Sequence, residues 1–179
     1  SYYLGLLSLS IILILSLISF FFGSKIYLKN IYIKSNKIKT DVSFVFISDV
    51  HLGSNSIVHL KKIILKLKNK NYDFLLIGGD LIDSSSFDIS TLKIIKEHIS
   101  CPVYFVTGNH EYYLKNSSTR IKEISNIGIN HISNSNIEIN EINIIGIDDN
   151  INKNQQVEII KNKYLKEKFN LILIHKPSI

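Results

Sequence analysis

The chain has 179 residues, 45% of them hydrophobic, with 21 Lys plus Arg against 15 Asp plus Glu, a formal net charge of +6. That is enough for one full domain and an appendage, and this hydrophobicity excludes a disordered tail. The single cysteine, Cys101, excludes an internal disulfide and a cysteine-based metal site.

No charged residue occurs from Ser1 to Ser24, after which Lys25, Lys29, Lys34, Lys37 and Lys39 precede the first acid, Asp41. At about 1.5 Å per residue, a helix over Tyr2–Phe22 crosses a hydrocarbon core of about 30 Å, which predicts a transmembrane anchor over 1–23. No Ala-x-Ala site follows it, which argues against a cleaved signal peptide. A basic juxtamembrane linker is expected over 24–41, with its lysines against anionic lipid, and a catalytic domain over 42–179. The positive-inside rule favours the cytoplasmic side of the membrane for that domain. The lysines lack interleaved aromatics placed for stacking, so no nucleic acid is expected as a partner.

Beyond the lysines, short apolar segments alternate with helical patterns. Val42–Ile47, Phe74–Ile77 and Val103–Val106 are β-branched or aromatic and bounded by Asp, Gly or Pro, as buried strands are. Between them, Leu60–Leu67 and Leu92–His98 repeat apolar residues at three and four, with lysines outward, as amphipathic helices do. This order predicts an α/β fold with a parallel sheet and right-handed crossovers. Ile137–Ile139 and Ile142–Ile147 alternate around Asn140-Glu141 as a hairpin does, Val157–Lys168 reads as a helix, and Leu171–Ile174 as a last buried strand.

In open α/β sheets chemistry collects beyond the carboxyl ends of the strands. Those ends carry Asp49-Val-His51, Gly79-Asp80, Gly108-Asn109-His110-Glu111 and His175. Carboxylates, an amide and imidazoles without thiolates suit Mn, Fe or Zn, and differ from a structural zinc site. Gly53, Gly78, Gly79 and Gly108 let the backbone turn tightly beside an ion. Each residue also has an ordinary reading as a cap or turn former. His59, His98 and His131 fit surface or packing roles, Glu111 fits a loop-holding role, and Asp148 and Asp149 are candidates for fixing loops near the site.

FISDVHLGS, LLIGGDLID, VTGNHEYY and LILIHKP together resemble successive blocks of the calcineurin-like metallophosphoesterases. That family's pattern is D-x-H, G-D, G-N-H-[DE], H and finally G-H-x-H. Four of the five blocks are present in order over Phe44–Pro177, and Asp49, Asp80 and Asn109 lie about thirty residues apart, the length of a βαβ step. IIGIDDN after the hairpin is similar to the membrane-attached bacterial branch.

The resemblance implies a four-layer α/β/β/α sandwich, here partial, and two divalent metal ions, Mn, Fe or Zn. Asp49 and His51 would bind the first metal, Asp80 would bridge both, and Asn109 with His175 would bind the second. Hydroxide activated by the two metals would attack phosphorus in line. His110 would protonate the leaving alkoxide, a task suited to imidazole near neutral pH, with Asp83 orienting it. Ser84 stands where protein phosphatases of the family carry Arg, which argues against a close relationship to them. The implied substrate is a phosphomonoester or phosphodiester, and the anchor biases it toward a membrane or envelope compound.

No Met occurs and no Gly-His-x-His follows His175, so the chain is expected to be cut short before the last metal-binding block. The rival expectation is a non-catalytic, membrane-anchored interaction protein of the same fold; His110 beside every available ligand speaks against it, since a scaffold needs no proton donor.

Overall fold

The computed structural model describes residues 2–23 and 25–177, and within its first helix the side chains of residues 3–19 and 23. Ser1, Ser24, Ser178 and Ile179, where the expected anchor, linker and domain begin or end, lie outside the described residues. The chain divides into two units, with Ile31 closing the first and Tyr32 opening the second.

The first unit is built on helix α1 (Tyr2–Gly23). The Ser8 and Ser10 hydroxyls donate to the carbonyls of Gly5 and Leu6, each at 2.9 Å, so these polar groups are satisfied within the helix. The expected transmembrane anchor and the membrane localisation built on it are corrected here: among the described residues no helix is long and apolar enough to cross a membrane.

The second unit holds β1 (Phe44–Ile47), α2 (Ile57–Leu67) and β2 (Phe74–Ile77), then a 3-10 turn (Ile89–Leu92) running into α3 (Lys93–His98). It continues through β3 (Val103–Phe105), α4 (Asn109–Tyr113), α5 (Ser117–Asn126) and β4 (Ile129–His131). The last elements are β5 (Asn136–Ile139), β6 (Ile142–Gly146), α6 (Lys153–Lys163) and β7 (Phe169–Leu173). Strands β1-β2-β3-β4 form a parallel sheet in sequence order. In the second sheet β5 pairs antiparallel with β6, as the hairpin pattern predicts, and β6 pairs parallel with β7 across α6.

Side-chain alternation assigns the two faces of the first sheet. Leu75 and Ile77 of β2 point into a core shared with Leu60, Ile64 and Leu67 of α2, Ile95 of α3 and Ile124 of α5. Phe74 and Leu76 point the other way, into a second core with Tyr104 of β3 and with Ile142, Ile144 and Leu173 of the facing sheet. Burial on both faces explains why β2 reads as an unbroken apolar run.

Helix α6 starts at Lys153, four residues before the expected Val157, because Asn152 and Gln155 close a capping box: each side chain bonds the other's backbone N–H at 3.0 Å. Lys37, expected against lipid, is turned onto its own domain. Its ammonium donates to the carbonyls of Lys166 at 2.7 Å and Lys168 at 3.2 Å.

Candidate metal centre

All four strands of the first sheet run the same way, so the loops after β1, β2 and β3 leave one edge. The first two are zipped together beyond the strands: Gly78 N–H donates to Ile47 O, Asp49 N–H to Gly79 O, His51 N–H to Asp80 O and Leu52 N–H to Leu81 O, all within 3.1 Å. This pairing fixes a backbone that single residues resist. Asp49, His51 and Asp80 all sit in the left-handed region, with φ of 55°, 50° and 51°. Asp and His tolerate that region better than most residues, at a cost on the order of 1–3 kcal/mol each, and such outliers gather at functional sites.

The side chains converge. Asp49, Asp80 and His175 offer ligand atoms within 4.8 Å of one another, and so do His51, Asp83 and His110. His51 Nε2 joins the two groups, lying 3.7 Å from both Asp49 Oδ1 and Asp80 Oδ2. Asp80 is 3% exposed and central: Oδ2 is 3.2 Å from His175 Nε2 and 3.9 Å from His110 Nε2, while Oδ1 accepts the His110 backbone N–H at 2.9 Å. Asn109 opens α4 between Gly108 and His110 and is half-buried.

The donor set fits a divalent cation on one particular. His175 Nδ1 lies 2.9 Å from the Gly78 carbonyl, which can only accept, so Nδ1 carries the proton. In the neutral ring Nε2 then presents its lone pair to Asp80 Oδ2, and two acceptors at 3.2 Å are reconciled by a cation. A ring N–H held by a backbone carbonyl is also how metal-ligating histidines are commonly oriented.

Glu111 lies beneath this edge, fully buried. Its Oε1 accepts the N–H of Leu81 at 2.7 Å and Ile82 at 3.1 Å, and its Oε2 those of Gly108 at 2.8 Å and Asp80 at 3.0 Å. The expected loop-holding role is what the structure displays. Burial pushes the Glu111 carboxyl up, against the pull of the backbone N–H bonds.

Asp83, expected beside His110, shares a cluster with it, but its Oδ2 lies 3.4 Å from His51 Nδ1 and its Oδ1 accepts the Ser54 N–H at 2.8 Å. Burial pushes the Asp83 carboxyl up, and the Ser54 hydrogen bond with the His51 and His110 imidazoles outweighs it, leaving the group below its ordinary value. The His110 ring packs edge-on against His51, centroids 4.6 Å apart, and lies 5.6 Å from the exposed Tyr113 ring.

The family model of the calcineurin-like phosphoesterases matches residues 42–178. The chain belongs to that family. Calcineurin-like phosphoesterases are hydrolases of phosphoester bonds, and the strand-end residues above lie inside the matched span. A Campylobacter jejuni protein named an uncharacterized metallophosphoesterase is 32% identical over 90 residues, 48% of this chain and 24% of that protein. A Ruthia magnifica protein named a probable cyclic nucleotide phosphodiesterase is 39% identical over 77 residues, 38% of this chain and 33% of that protein. An uncharacterized metallophosphoesterase of Helicobacter pylori is 29% identical over 85 residues, 44% of this chain and 22% of that protein. The chain thus matches between about a fifth and a third of the length of these curated relatives.

Sequence reasoning missed the polar groups behind the candidate site. His131, given no role, has Nε2 2.8 Å from Ser133 Oγ, which lies 3.2 Å from Thr107 Oγ1. The signal was Asp148, two residues after β6 and named only as a loop-fixing candidate; its partners Thr107, Tyr112 and Asn134 are distant in sequence.

Proposed function

We propose that this chain carries the metal-dependent phosphoesterase site of its family, acting on a phosphodiester in preference to a monoester. The observation that carries the reading is Asp80, a buried carboxylate reached by His51, His110 and His175 from three separate chain segments. The diester preference is supported by the relative named a probable cyclic nucleotide phosphodiesterase.

Asp49, His51, Asp80, Asn109 and His175 would hold two divalent cations, whose charge polarises a phosphoryl group and lowers the pKa of a water. His110 donates a proton from Nε2 to the leaving oxygen; its backbone is pinned to Asp80 and its ring is braced by His51. Asp83 holds the imidazole pair in place, gripping Ser54 with one oxygen and facing His51 with the other.

Purified full-length protein loaded with Mn is assayed on bis-p-nitrophenyl phosphate and p-nitrophenyl phosphate. Faster metal-dependent turnover of the diester is expected, lost on chelation. His110→Ala lowers kcat at unchanged metal content, and Asp80→Asn lowers metal content and turnover together. Full activity in Asp80→Asn would remove the central role given to that carboxylate.

A further inference from the structure

Thr107 and Tyr112 bracket residues 108–111, the segment that carries Asn109 and His110, and both end on one carboxylate. Thr107 Oγ1 donates to Asp148 Oδ1 at 2.9 Å, and the Tyr112 hydroxyl donates to Asp148 Oδ2 at 2.5 Å. Asp148 follows β6 in the second sheet, whereas Thr107 lies between β3 and α4 and Tyr112 lies in α4. Asp148 is itself held: its N–H donates to Asn134 Oδ1 at 3.1 Å, and its Oδ1 accepts the Asn150 N–H at 3.0 Å. Thr107 is fully buried, and its N–H and Oγ1 both meet Ser133 Oγ at 3.2 Å.

We propose that Asp148 is a positioning residue for phosphoester hydrolysis, clamping both ends of segment 108–111 so that the second sheet holds Asn109 and His110 against Asp80. The inference rests on the reading of the site given above. Hydrogen bonds to an ionised acceptor are shorter and about twice as strong as neutral ones, and they fix direction as well as distance. A satisfied buried polar network also rigidifies what it joins. The demand for rigidity is chemical: a displacement of about 1 Å at a reacting group can cost about a hundredfold in rate. An apolar contact at the same place would hold α4 down without fixing its rotation, and that rotation aims His110.

The test uses the full-length chain with Mn and bis-p-nitrophenyl phosphate. Tyr112→Phe removes one hydroxyl and keeps the ring, so its folding is secure; Asp148→Asn and the double variant complete a cycle. Expected, at saturating Mn, are a fall in kcat of about ten- to a hundredfold in each single variant with KM within about twofold of wild type, and a smaller loss of Mn affinity through Asn109. Hydrogen exchange at 108–111 should accelerate in both, and the double variant should be no worse than the weaker single, because the two groups act as one unit. Unchanged kcat, additive losses, or a rate that saturating Mn restores to wild type would each overturn the proposal. If wild type shows no metal-dependent turnover the phosphoesterase reading fails on its own, and exchange decides the clamp: protection at 108–111 unchanged in Asp148→Asn removes it.

Discussion

The Glu111 carboxylate accepts the backbone N–H of Asp80 at 3.0 Å, so the helix after β3 supports the loop after β2 from below. The same carboxylate also takes the N–H groups of Leu81, Ile82 and Gly108, leaving neither oxygen free for an ion. Glu111→Gln puts an NH2 group against N–H donors in a fully buried site. A loss of roughly 3 kcal/mol is expected from the unsatisfied donors, measured by urea unfolding of the metal-free protein. Wild-type stability in that variant would mean that the loops hold their shape without the carboxylate.

Metal binding is expected to show in stability before it shows in rate. A ligand that binds only the folded state stabilises by about 2.7 kcal/mol at a hundred times its Kd. Mn should therefore raise Tm in wild type and do so much less in Asp80→Asn and His175→Ala, which each remove a donor from the pair at 3.2 Å. Equal Mn shifts in all three proteins would place the ion elsewhere.

The parallel strands and the residues at their ends were legible because both carry local signatures. Phe74–Ile77 is an apolar run, and Asp80 or Asn109 follows a strand beside glycine, so fold class and ligand candidates could be read from short words. Three elements were not legible. The α4 helix, Asn109–Tyr113, is too short to show a period, α5 offers only Ile121 and Ile124 as apolar positions, and β4 is three residues long with only Ile129 buried. The Asp148 clamp was invisible for another reason: its partners Thr107 and Tyr112 lie about forty residues upstream, and only the packing of two sheets brings them together.

The Tyr112 phenol supplies a pH test away from the ligands. Burial, with the neighbouring Asp148 carboxylate, pushes its pKa up from 10.0 to about 12. A raised folded value means that the native state keeps the proton longer than the unfolded chain. The stability this contributes is full below about pH 10 and is lost as pH rises through about 12. Wild type should therefore lose stability more steeply than Tyr112→Phe between those values, followed by guanidinium unfolding. Parallel profiles would mean that the hydroxyl does not hold its proton for Asp148.

Two glycines separate the need for space from the need for backbone freedom. Gly108 has φ of −101° and ψ of −173°, an extended backbone any residue adopts. A Cβ there would lie 2.7 Å from Asp80 N, in the path of the N–H that Glu111 accepts, and would press on the Asp80 carboxylate. Gly128 is the reverse: at φ +89° its backbone disfavours a side chain, but a Cβ would meet nothing closer than 3.6 Å, the end of the Lys96 chain. Gly128→Ala should cost about 1 kcal/mol of stability and leave Mn affinity and turnover intact. Gly108→Ala should cost roughly 1–3 kcal/mol through overpacking and also displace Asp80, lowering kcat/KM by about a hundredfold. Because both variants add the same methyl group, equal effects on turnover would show that close packing of the two loops is not what holds the central carboxylate in register with its histidines.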